Sequence, residues 1–426
     1  MKPHPELVAQ NKQFEKQVMK LASNVYGAVG FAASNVFMLV GDDGLVIIDT
    51  TETTKAAENI LEEFRKITDK PIKTIIYTHS HRDHISGATI FAEGGKPEII
   101  ASDNFKTDMV DVDKSRPTPN PAMMARTKRQ FGFGLSFPNE RANLGVGPGN
   151  RPLEGMGAGF IPPTYYIPEA RSSITRCGFK LELVKAPGET PDHLVVWLAD
   201  SKILFCGDNF YSSFPNLYAI RGTPYRYFNA WADTMDLLMK FEAEVLATGH
   251  TMPVISAQKI KTVLTDYRDA INYVVAETAK GMNEGLDPVT IANNLRLPDG
   301  LVEKPYLKEF YGHVGYASRA YFAGTLGWFD GNPTSLGQQS PEVEAGKYIT
   351  LAGGADKVLN AAITALDKDD PQWAMELVDR LIVTGSAKAS ATTIKIAAMR
   401  SLADRTINAP TRNYYLLSAH ELEETK

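Results

Sequence analysis

A short segment of the sequence concentrates side chains that could bind metal ions. It directly follows the run Lys73 to Thr78, whose β-branched residues predict a buried strand, and it places four possible ligands within six residues. Zinc binds neutral imidazole nitrogen and carboxylate oxygen at about 2.0 to 2.2 Å, and a turn at a strand end can direct neighbouring side chains toward different ions. We therefore predict that His79 and His81 share one zinc ion. Asp83 and His84 are predicted to bind a second, since ordinary loop hydrogen bonds would explain a lone histidine better than this cluster.

The spacing of these ligands, HxHxDH, resembles the signature of the metallo-β-lactamase superfamily. The resemblance implies an α/β fold, a four-layer αββα sandwich with the metal ions at one edge of its two sheets. It also implies that later turns supply a third ligand of the first ion, a carboxylate that bridges both ions, and a last ligand of the second ion. In this sequence the matching turns each follow a predicted strand and carry, in that order, Glu189, Asp208 and His250.

Glu189 departs from the histidine that the superfamily usually has at this place, which changes the charge of the predicted site. Three carboxylates, those of Asp83, Glu189 and Asp208, and a bound hydroxide would neutralise two Zn²⁺ ions, so an anionic substrate would need arginines. The alternative is that His193, at the start of a predicted strand, is the third ligand and that Glu189 lies exposed in its turn.

The implied metal centre points to hydrolysis. A water between two zinc ions is acidified toward neutrality and becomes a hydroxide nucleophile, while the second ion polarises the bond that breaks. The expected cofactor is therefore zinc, two ions per chain.

Further segments are similar to the alkylsulfatase branch of the superfamily. They are the stretch YTHSHRDH, Asn216 to Gly222, Gly327 to Pro333 (GWFDGNP) and Arg412 to Leu416 (RNYYL). Together they imply a helical dimerisation domain after the catalytic one, and two arginines that hold the sulfate oxygens. These match Arg221 and Arg412, which the resemblance places with Asp83 among the catalytic residues, although either arginine could instead form a structural salt bridge.

The sequence also departs from that branch. Asp208 stands where these enzymes typically have a glutamate, and the proton donor often found after the Arg-Gly pair is replaced by Tyr225 and Arg226, so the general acid stays unassigned. The sequence ends at Lys426, where relatives continue into a sterol-carrier-like domain, so long-chain surfactants are not the expected natural substrate.

The elements that must position these residues follow from hydrophobic patterning. Short β-branched runs bounded by turn residues predict strands in both halves of the first 250 residues, and Thr53 to Ile67 predicts a helix. The predicted strands are Ser34 to Val40, Leu45 to Thr50, Lys73 to Thr78, Pro97 to Ser102, Leu181 to Ala186, Leu194 to Leu198, Lys202 to Cys206 and Val245 to Thr248.

An irregular stretch, Val110 to Ser173, separates the two groups of strands and is predicted to wall the active site. Phe131, Phe133, Tyr165 and Tyr166 are candidates for an apolar substrate wall, although core packing explains aromatic residues equally well. From Ser256 onward apolar residues recur at helical spacing, which predicts helical hairpins. We therefore predict a catalytic domain at 1–285 and an α-helical dimerisation domain at 286–426.

Composition limits the partners. The 426 residues include 45 Lys and Arg against 50 Asp and Glu, a net charge of −5, without a basic run suited to nucleic acid. No segment reaches the roughly 20 apolar residues of a membrane span, and the polar N-terminus predicts a cytoplasmic protein, or a periplasmic or secreted one if a signal peptide has been removed. Cys177 and Cys206 do not fix the compartment.

The leading hypothesis is a zinc-dependent hydrolase of small, anionic sulfate monoesters that forms a homodimer. The alternative is a hydrolase of another class on the same metal core, such as a lactonase, a β-lactamase-like enzyme or a phosphodiesterase. A scaffold with a vestigial metal site is the least favoured reading, because all seven ligand positions are filled.

Overall fold

Two mixed β-sheets form the centre of the N-terminal part of the protein. A computed structural model describes residues 2–107 and 120–425. The first sheet has seven strands in sequence order: β1 (Gln17–Ala22), β2 (Val25–Val29), β3 (Val36–Val40), β4 (Leu45–Ile48), β5 (Ile72–Ile76), β6 (Glu98–Ser102) and β7 (Tyr165–Ile167). The second, in spatial order β13-β12-β11-β10-β9-β8, contains β8 (Arg171–Arg176), β9 (Phe179–Lys185), β10 (Leu194–Leu198), β11 (Ile203–Gly207), β12 (Val245–Thr248) and β13 (Val254–Ile255).

Helices cover the outer faces of both sheets and build the C-terminal part. The helices up to residue 283 are α1 (Pro5–Ala9), α2 (Thr54–Arg65), α3 (Arg82–Ile85), α4 (Ala88–Ala92), α5 (Asn120–Gln130), α6 (Phe228–Met239) and α7 (Ala257–Asn283). The later ones are α8 (Pro288–Asn294), α9 (Val314–Leu326), α10 (Pro341–Leu351), α11 (Ala355–Asp367), α12 (Pro371–Val383), α13 (Lys388–Arg405) and α14 (Ala409–Glu424).

The four layers follow from the alternation of side chains along the strands. In β11, Ile203 and Phe205 face the core between the two sheets, whereas Leu204 and Cys206 face the core beneath α6 and α7. In the same way Ile76 of β5 faces the other sheet, and the outer face of its sheet packs on α2 and α4. The predicted αββα sandwich, followed by a helical domain, is confirmed.

Local sequence explains where α2 begins and which face it buries. The Thr53 hydroxyl accepts a hydrogen bond from the Ala56 backbone N–H at 3.0 Å, which caps the first turn. Ala57, Ile60 and Phe64 recur at intervals of three and four residues and are buried against the first sheet. The predicted helix is therefore present, as are all eight predicted strands, with their ends shifted by at most a few residues.

The insertion between the sheets is only partly irregular. It contains α5 and β7, which the sequence pattern missed because α5 has a single buried residue, Gln130, and β7 has three residues of which two are exposed. Residues 110–119 of the predicted insertion lie outside the described part of the chain.

The helical part packs partly on the sandwich and partly around a core of its own. Leu295, Val314 and Ala317, beside α8 and in α9, share the core of α6 and α7. Helices α10 to α13 enclose a separate core that includes Val358, Val378 and Leu381. Among the helices of the described residues, none has the combination of length and apolarity that crossing a bilayer requires.

Candidate metal centre

Strand ends from both sheets bring the predicted ligands together at one edge of the sandwich. His79 to His84 follow β5 of the first sheet, whereas Asp208 and His250 follow β11 and β12 of the second. Glu189 lies in the turn between β9 and β10. Because strands of both sheets end at this edge, residues up to 171 positions apart in sequence become neighbours.

The ligands predicted for the first ion face one another. His79 Nε2 lies 3.0 Å from His81 Nδ1, and His81 Nδ1 lies 3.8 Å from Glu189 Oε1. His81, Glu189 and Asp208 place one ligand atom each within 4.8 Å of the others. Nitrogens and oxygens about 2 Å from a shared ion lie at separations of this size.

A second group surrounds the place predicted for the other ion. His250 Nε2 lies 3.4 Å from Asp83 Oδ2, and His84 Nε2 lies 3.7 Å from the same oxygen. These three residues also fall within 4.8 Å of one another. The side chain of Asp83 is 31% exposed, whereas those of His84 and His250 are buried, so this group opens to solvent on the Asp83 side.

Asp208 stands between the two groups, as expected for a bridging ligand. Its Oδ1 is 3.2 Å from His84 Nε2, and its Oδ2 is 3.1 Å from His250 Nε2 and 3.5 Å from His79 Nε2. Asp208 Oδ1 and His84 Nε2 are buried and have no hydrogen-bond partner within residues 2–107 and 120–425. A shared cation satisfies both atoms, so the residues present fit a pair of divalent metal ions.

The ligands are held by neighbours that the sequence motifs did not indicate. Asp49 Oδ2 lies 2.8 Å from His84 Nδ1, and Asp49 also accepts hydrogen bonds from the backbone N–H and hydroxyl of Thr78. His250 Nδ1 lies 2.6 Å from the carbonyl oxygen of Ala33. Such contacts fix the ring orientation and leave the opposite nitrogen for the metal.

His193, the alternative third ligand, instead positions Asp208. Its Nε2 accepts a hydrogen bond from the Asp208 backbone N–H at 3.0 Å, and its Nδ1 lies 3.3 Å from Asn209 Nδ2. Its ring stacks on that of His79 with centroids 4.7 Å apart. Both ring nitrogens of His193 therefore contact Asp208 and Asn209, and Glu189 is the residue of this turn whose carboxylate faces His81 and Asp208.

Burial and mutual charge set the protonation of the cluster. Burial lowers the pKa of His81 well below its usual value, with the neighbouring His79 acting in the same direction. Burial would raise the pKa of Asp208, but the surrounding histidines, His250 first, outweigh it and hold that pKa well below normal. Burial would lower the pKa of His84 and His250, but Asp208 and the other nearby carboxylates outweigh it and raise both, that of His250 to about 9. Neutral imidazole and ionised carboxylate are the forms that bind metal ions, so these two histidines must lose a proton when a metal ion binds.

Two arginines lie beside the cluster, and the sequence had indicated a role for one of them. Arg221, predicted to bind sulfate, lies over the ring of Phe131 at 5.9 Å, and its buried Nη1 has no hydrogen-bond partner in the part of the chain that the structure describes. Arg226 donates from Nη1 to Glu189 Oε1 at 2.8 Å and is 4% exposed. In the sequence, Arg226 was noted only because it occupies a place where relatives often have a proton donor. Its contact with Glu189 could not be predicted, because it depends on the fold of the loop after Asp208.

Arg412 has a different position from the one predicted. Its guanidinium group is fully buried and donates to the carbonyl oxygens of Glu140, Ala403 and Asn139, and it pairs with Asp404 at 3.1 Å. All three nitrogens are therefore used to fasten α14 to neighbouring backbone. The structure does not bring Arg412 to the cluster with the other predicted site residues, because buried backbone carbonyls take the donors that a sulfate group would need.

The predicted aromatic wall divides into two parts. Phe131 packs with Tyr211 and Tyr311 beside the cluster, and Phe133 stacks on Phe131 with centroids 6.2 Å apart. Tyr165 and Tyr166 lie on the edge strand β7 and are 40% and 47% exposed. They are surface residues in this structure and do not contribute to the wall.

Comparison with known families agrees with this architecture. Residues 29–250 match the model of the metallo-beta-lactamase superfamily, and residues 287–425 match that of alkyl sulfatase dimerisation.

Several characterised proteins are similar over most of the chain. A linear primary-alkylsulfatase of a Pseudomonas species is 37% identical over 91% of this chain and 73% of its own length. An (R)-specific secondary-alkylsulfatase of Pseudomonas is 32% identical, and an alkyl/aryl-sulfatase of Saccharomyces cerevisiae is 30% identical. This chain spans 95% to 96% of its own length in those two alignments, but only 62% and 64% of the relatives.

One solved structure has the same overall arrangement. The stereoselective inverting sec-alkylsulfatase from Pseudomonas superposes with a TM-score of 0.89 at 29% identity, covering 99% of this chain and 68% of the other. The similarity therefore extends through both the sandwich and the helical domain.

Proposed function

The chain belongs to the alkylsulfatase family of the metallo-β-lactamase superfamily, and from that premise we propose that it hydrolyses sulfate monoesters of alkyl or similarly apolar alcohols. The observation that carries the proposal is the joint presence of a seven-residue ligand cluster and a buried arginine donor beside it. The first fits a pair of metal ions, and the second fits the charge of a sulfate ester.

We propose zinc as the resident ion, with two ions per chain. Histidine nitrogens and carboxylate oxygens suit zinc better than magnesium or calcium, which prefer oxygen ligands. Ions bound there would supply Lewis-acid polarisation and lower the pKa of water. His79, His81 and Glu189 would hold one ion, Asp83, His84 and His250 the other, and Asp208 both.

The protein's own residues would bind and orient the ester. The Arg221 guanidinium group offers a buried Nη1 to a sulfate oxygen. Phe131 and Phe133 provide apolar surface for the alcohol part. Tyr211 and Tyr311 pack against Phe131 and close the cluster on that side. The side chains of His81 and Asp83 are partly exposed, so the sulfate group would enter from their side.

The test is release of inorganic sulfate from a panel of short alkyl, secondary alkyl and aryl sulfates by the metal-loaded protein. We expect turnover of sulfate esters, and loss of turnover after chelation that is restored by zinc. Elemental analysis should give two zinc equivalents per chain. Intact sulfate esters at full zinc loading, together with opening of a lactone or a β-lactam, would show that the alternative hydrolase class is the correct one.

We also propose that the protein is a homodimer. The match to the alkyl sulfatase dimerisation family supports this, as do large apolar side chains exposed on the helical part. They are Leu326, Trp328, Leu336, Val343, Tyr348, Leu351, Ile363, Trp373 and Val383.

A further inference from the structure

One edge of the Arg226 guanidinium group is unused although the side chain is buried. Nη1 donates to Glu189 Oε1 at 2.8 Å and to the backbone carbonyl of Asn216. Nε and Nη2 are buried and find no hydrogen-bond partner in the described parts of the chain. These two nitrogens share one side of the planar group, the side that can donate two parallel hydrogen bonds to an oxyanion.

Two more free donors belong to the same neighbourhood. Asn216 is 2% exposed, and its Nδ2 has no partner among the described residues, as is also true of Arg221 Nη1. The Tyr211 hydroxyl connects Asn216 to the cluster, because it accepts from the Asn216 backbone N–H at 2.8 Å and lies 3.4 Å from Glu189 Oε2. Phe131, which lies beneath Arg221, packs in the same group of residues as Tyr211.

The charges favour an anion at this place. Arg226 faces one carboxylate, that of Glu189, at 2.8 Å. When Glu189 binds a metal ion, its negative charge is shared with that ion, and the buried guanidinium group is no longer neutralised. Burying donors without acceptors costs free energy, so these four donors, which lack a partner in the described parts of the chain, indicate that a ligand completes them.

We propose that Arg226 has two tasks: Nη1 holds Glu189 in its metal-binding orientation, and the Nε–Nη2 edge binds two oxygens of a tetrahedral oxyanion. Asn216 Nδ2 and Arg221 Nη1 complete the oxyanion-binding wall. This inference rests on the proposed function, in which the anion is the sulfate group of the ester. Arg226 is thus a positioning residue for the metal and a binding residue for the substrate.

The experiment measures anion binding and metal affinity without turnover. The probes are octanesulfonate, which has no ester bond to hydrolyse, and zinc in competition with a chromogenic chelator. In Arg226→Lys the positive charge stays but the paired donors are lost, so we expect octanesulfonate to bind about 10- to 100-fold more weakly. Arg226→Met should in addition lower zinc affinity by about 10- to 100-fold, because Glu189 loses its support.

Two further variants separate these effects from general damage. Asn216→Leu keeps the backbone carbonyl that Arg226 uses and removes Nδ2, so it should weaken octanesulfonate binding about tenfold and leave zinc affinity unchanged. Arg171→Met, at an exposed arginine of β8, should change neither quantity.

Folded Arg226 variants that bind both probes as tightly as the wild type would overturn the proposal. Should the Arg226 variants fail to fold, Asn216→Leu decides, because unchanged octanesulfonate binding there would also overturn it. Neither readout requires catalysis, so an inability to hydrolyse sulfate esters would contradict the proposed function and leave these measurements interpretable.

Discussion

Asp49 shows how one residue outside the ligand set can control a metal site. Its carboxylate lies 2.8 Å from His84 Nδ1 and is itself fixed by two hydrogen bonds from Thr78. The residue has a φ of 60°, a left-handed conformation that Asp and Asn tolerate better than most side chains. These contacts hold the Asp49 carboxylate in one orientation. Its contact with His84 Nδ1 in turn directs His84 Nε2 into the cluster.

Replacement of this carboxylate should weaken metal binding without changing the fold. Asn tolerates the same backbone conformation. In Asp49→Asn, however, an NH2 group replaces one of the two oxygens, so the side chain can no longer accept hydrogen bonds from both Thr78 and His84. We expect zinc affinity to fall by about 10- to 100-fold, as measured by chelator competition. Asp43→Asn, at an exposed aspartate that pairs with Lys73, is the matched control and should bind zinc normally. Equal zinc affinities in the two variants would show that Asp49 does not orient His84.

Arg412 should behave as a residue of the fold and not of the substrate site. Arg412→Met removes every hydrogen bond of a fully buried guanidinium group and leaves carbonyl oxygens of Glu140 and Ala403 without donors. We expect the free energy of unfolding to fall by about 2 to 5 kcal/mol in denaturant titrations. The KM for a sulfate ester should stay close to that of the wild type in the folded fraction.

The matched control is Arg405→Met, since the Arg405 side chain is 43% exposed and should contribute less than about 0.5 kcal/mol. A stable Arg412→Met protein with a strongly raised KM would instead restore the substrate-binding role.

The contrast between these residues explains what the sequence could reveal about the site. His79 to His84 lie within six residues, so their chemistry was visible as a local pattern. The contacts of Arg226 and Asp49 depend on how distant loops pack, which no spacing encodes. Arg412 lies in a motif that resembles the family's, but the motif does not state whether its donors face substrate or backbone carbonyls.

At the scale of elements, a buried ion pair joins the insertion to the sheet edge. Arg151 Nε donates to Glu52 Oε1 at 2.6 Å, and the same oxygen accepts from the Ala33 backbone N–H at 2.9 Å. Burial and the neighbouring charge of Arg151 lower the pKa of Arg141 to about 10. The negative charge of Glu52 therefore offsets the positive charges of the buried Arg141 and Arg151. Glu52 also fixes the backbone of Ala33, whose carbonyl oxygen contacts His250.

Removing that carboxylate should destabilise the protein. In Glu52→Gln the two arginines stay buried without a negative charge, and we expect a loss of about 3 to 5 kcal/mol in the free energy of unfolding. The control is Glu58→Gln, because Glu58 pairs with Lys55 on the surface, where both side chains are more than 40% exposed. A loss of similar size in the two variants would mean that the buried pair has no special role.

Most strands with both faces buried could be predicted from the sequence, but β2 was missed although four of its five residues are buried, because Gly27 interrupts its short apolar run. The predicted bounds of β10 and β12 agree with the structure, because every residue of these strands except Trp197 is buried and the apolar runs end where the strands end. The strands β1 and β8 were missed. They carry Gln, Lys, Arg and Ser on partly exposed faces at the edges of their sheets, so their sequences lack the apolar alternation that marks a strand.

At the scale of the whole molecule, the helical part leaves apolar surface that a second copy of the chain can cover. Leu351, at the end of α10, is 83% exposed, and Trp328, after α9, is 76% exposed. We expect the wild-type protein to sediment at twice its chain mass of 46.8 kDa. An unpaired charge buried in an interface costs several kcal/mol, so Leu351→Glu or Trp328→Glu should raise the dimer dissociation constant by about 100-fold or more.

The expected dissociation depends on where the charge is placed, which provides the control. Val8 in α1 is 46% exposed but lies outside the helical domain, so Val8→Glu should remain dimeric. Sedimentation velocity over a range of concentrations distinguishes the three variants. If both helical-domain variants stay dimeric, the interface lies elsewhere, and if the wild type sediments as a monomer, the exposed apolar residues have another purpose. Because the metal ligands all precede residue 251, a dissociated variant should keep its full zinc affinity.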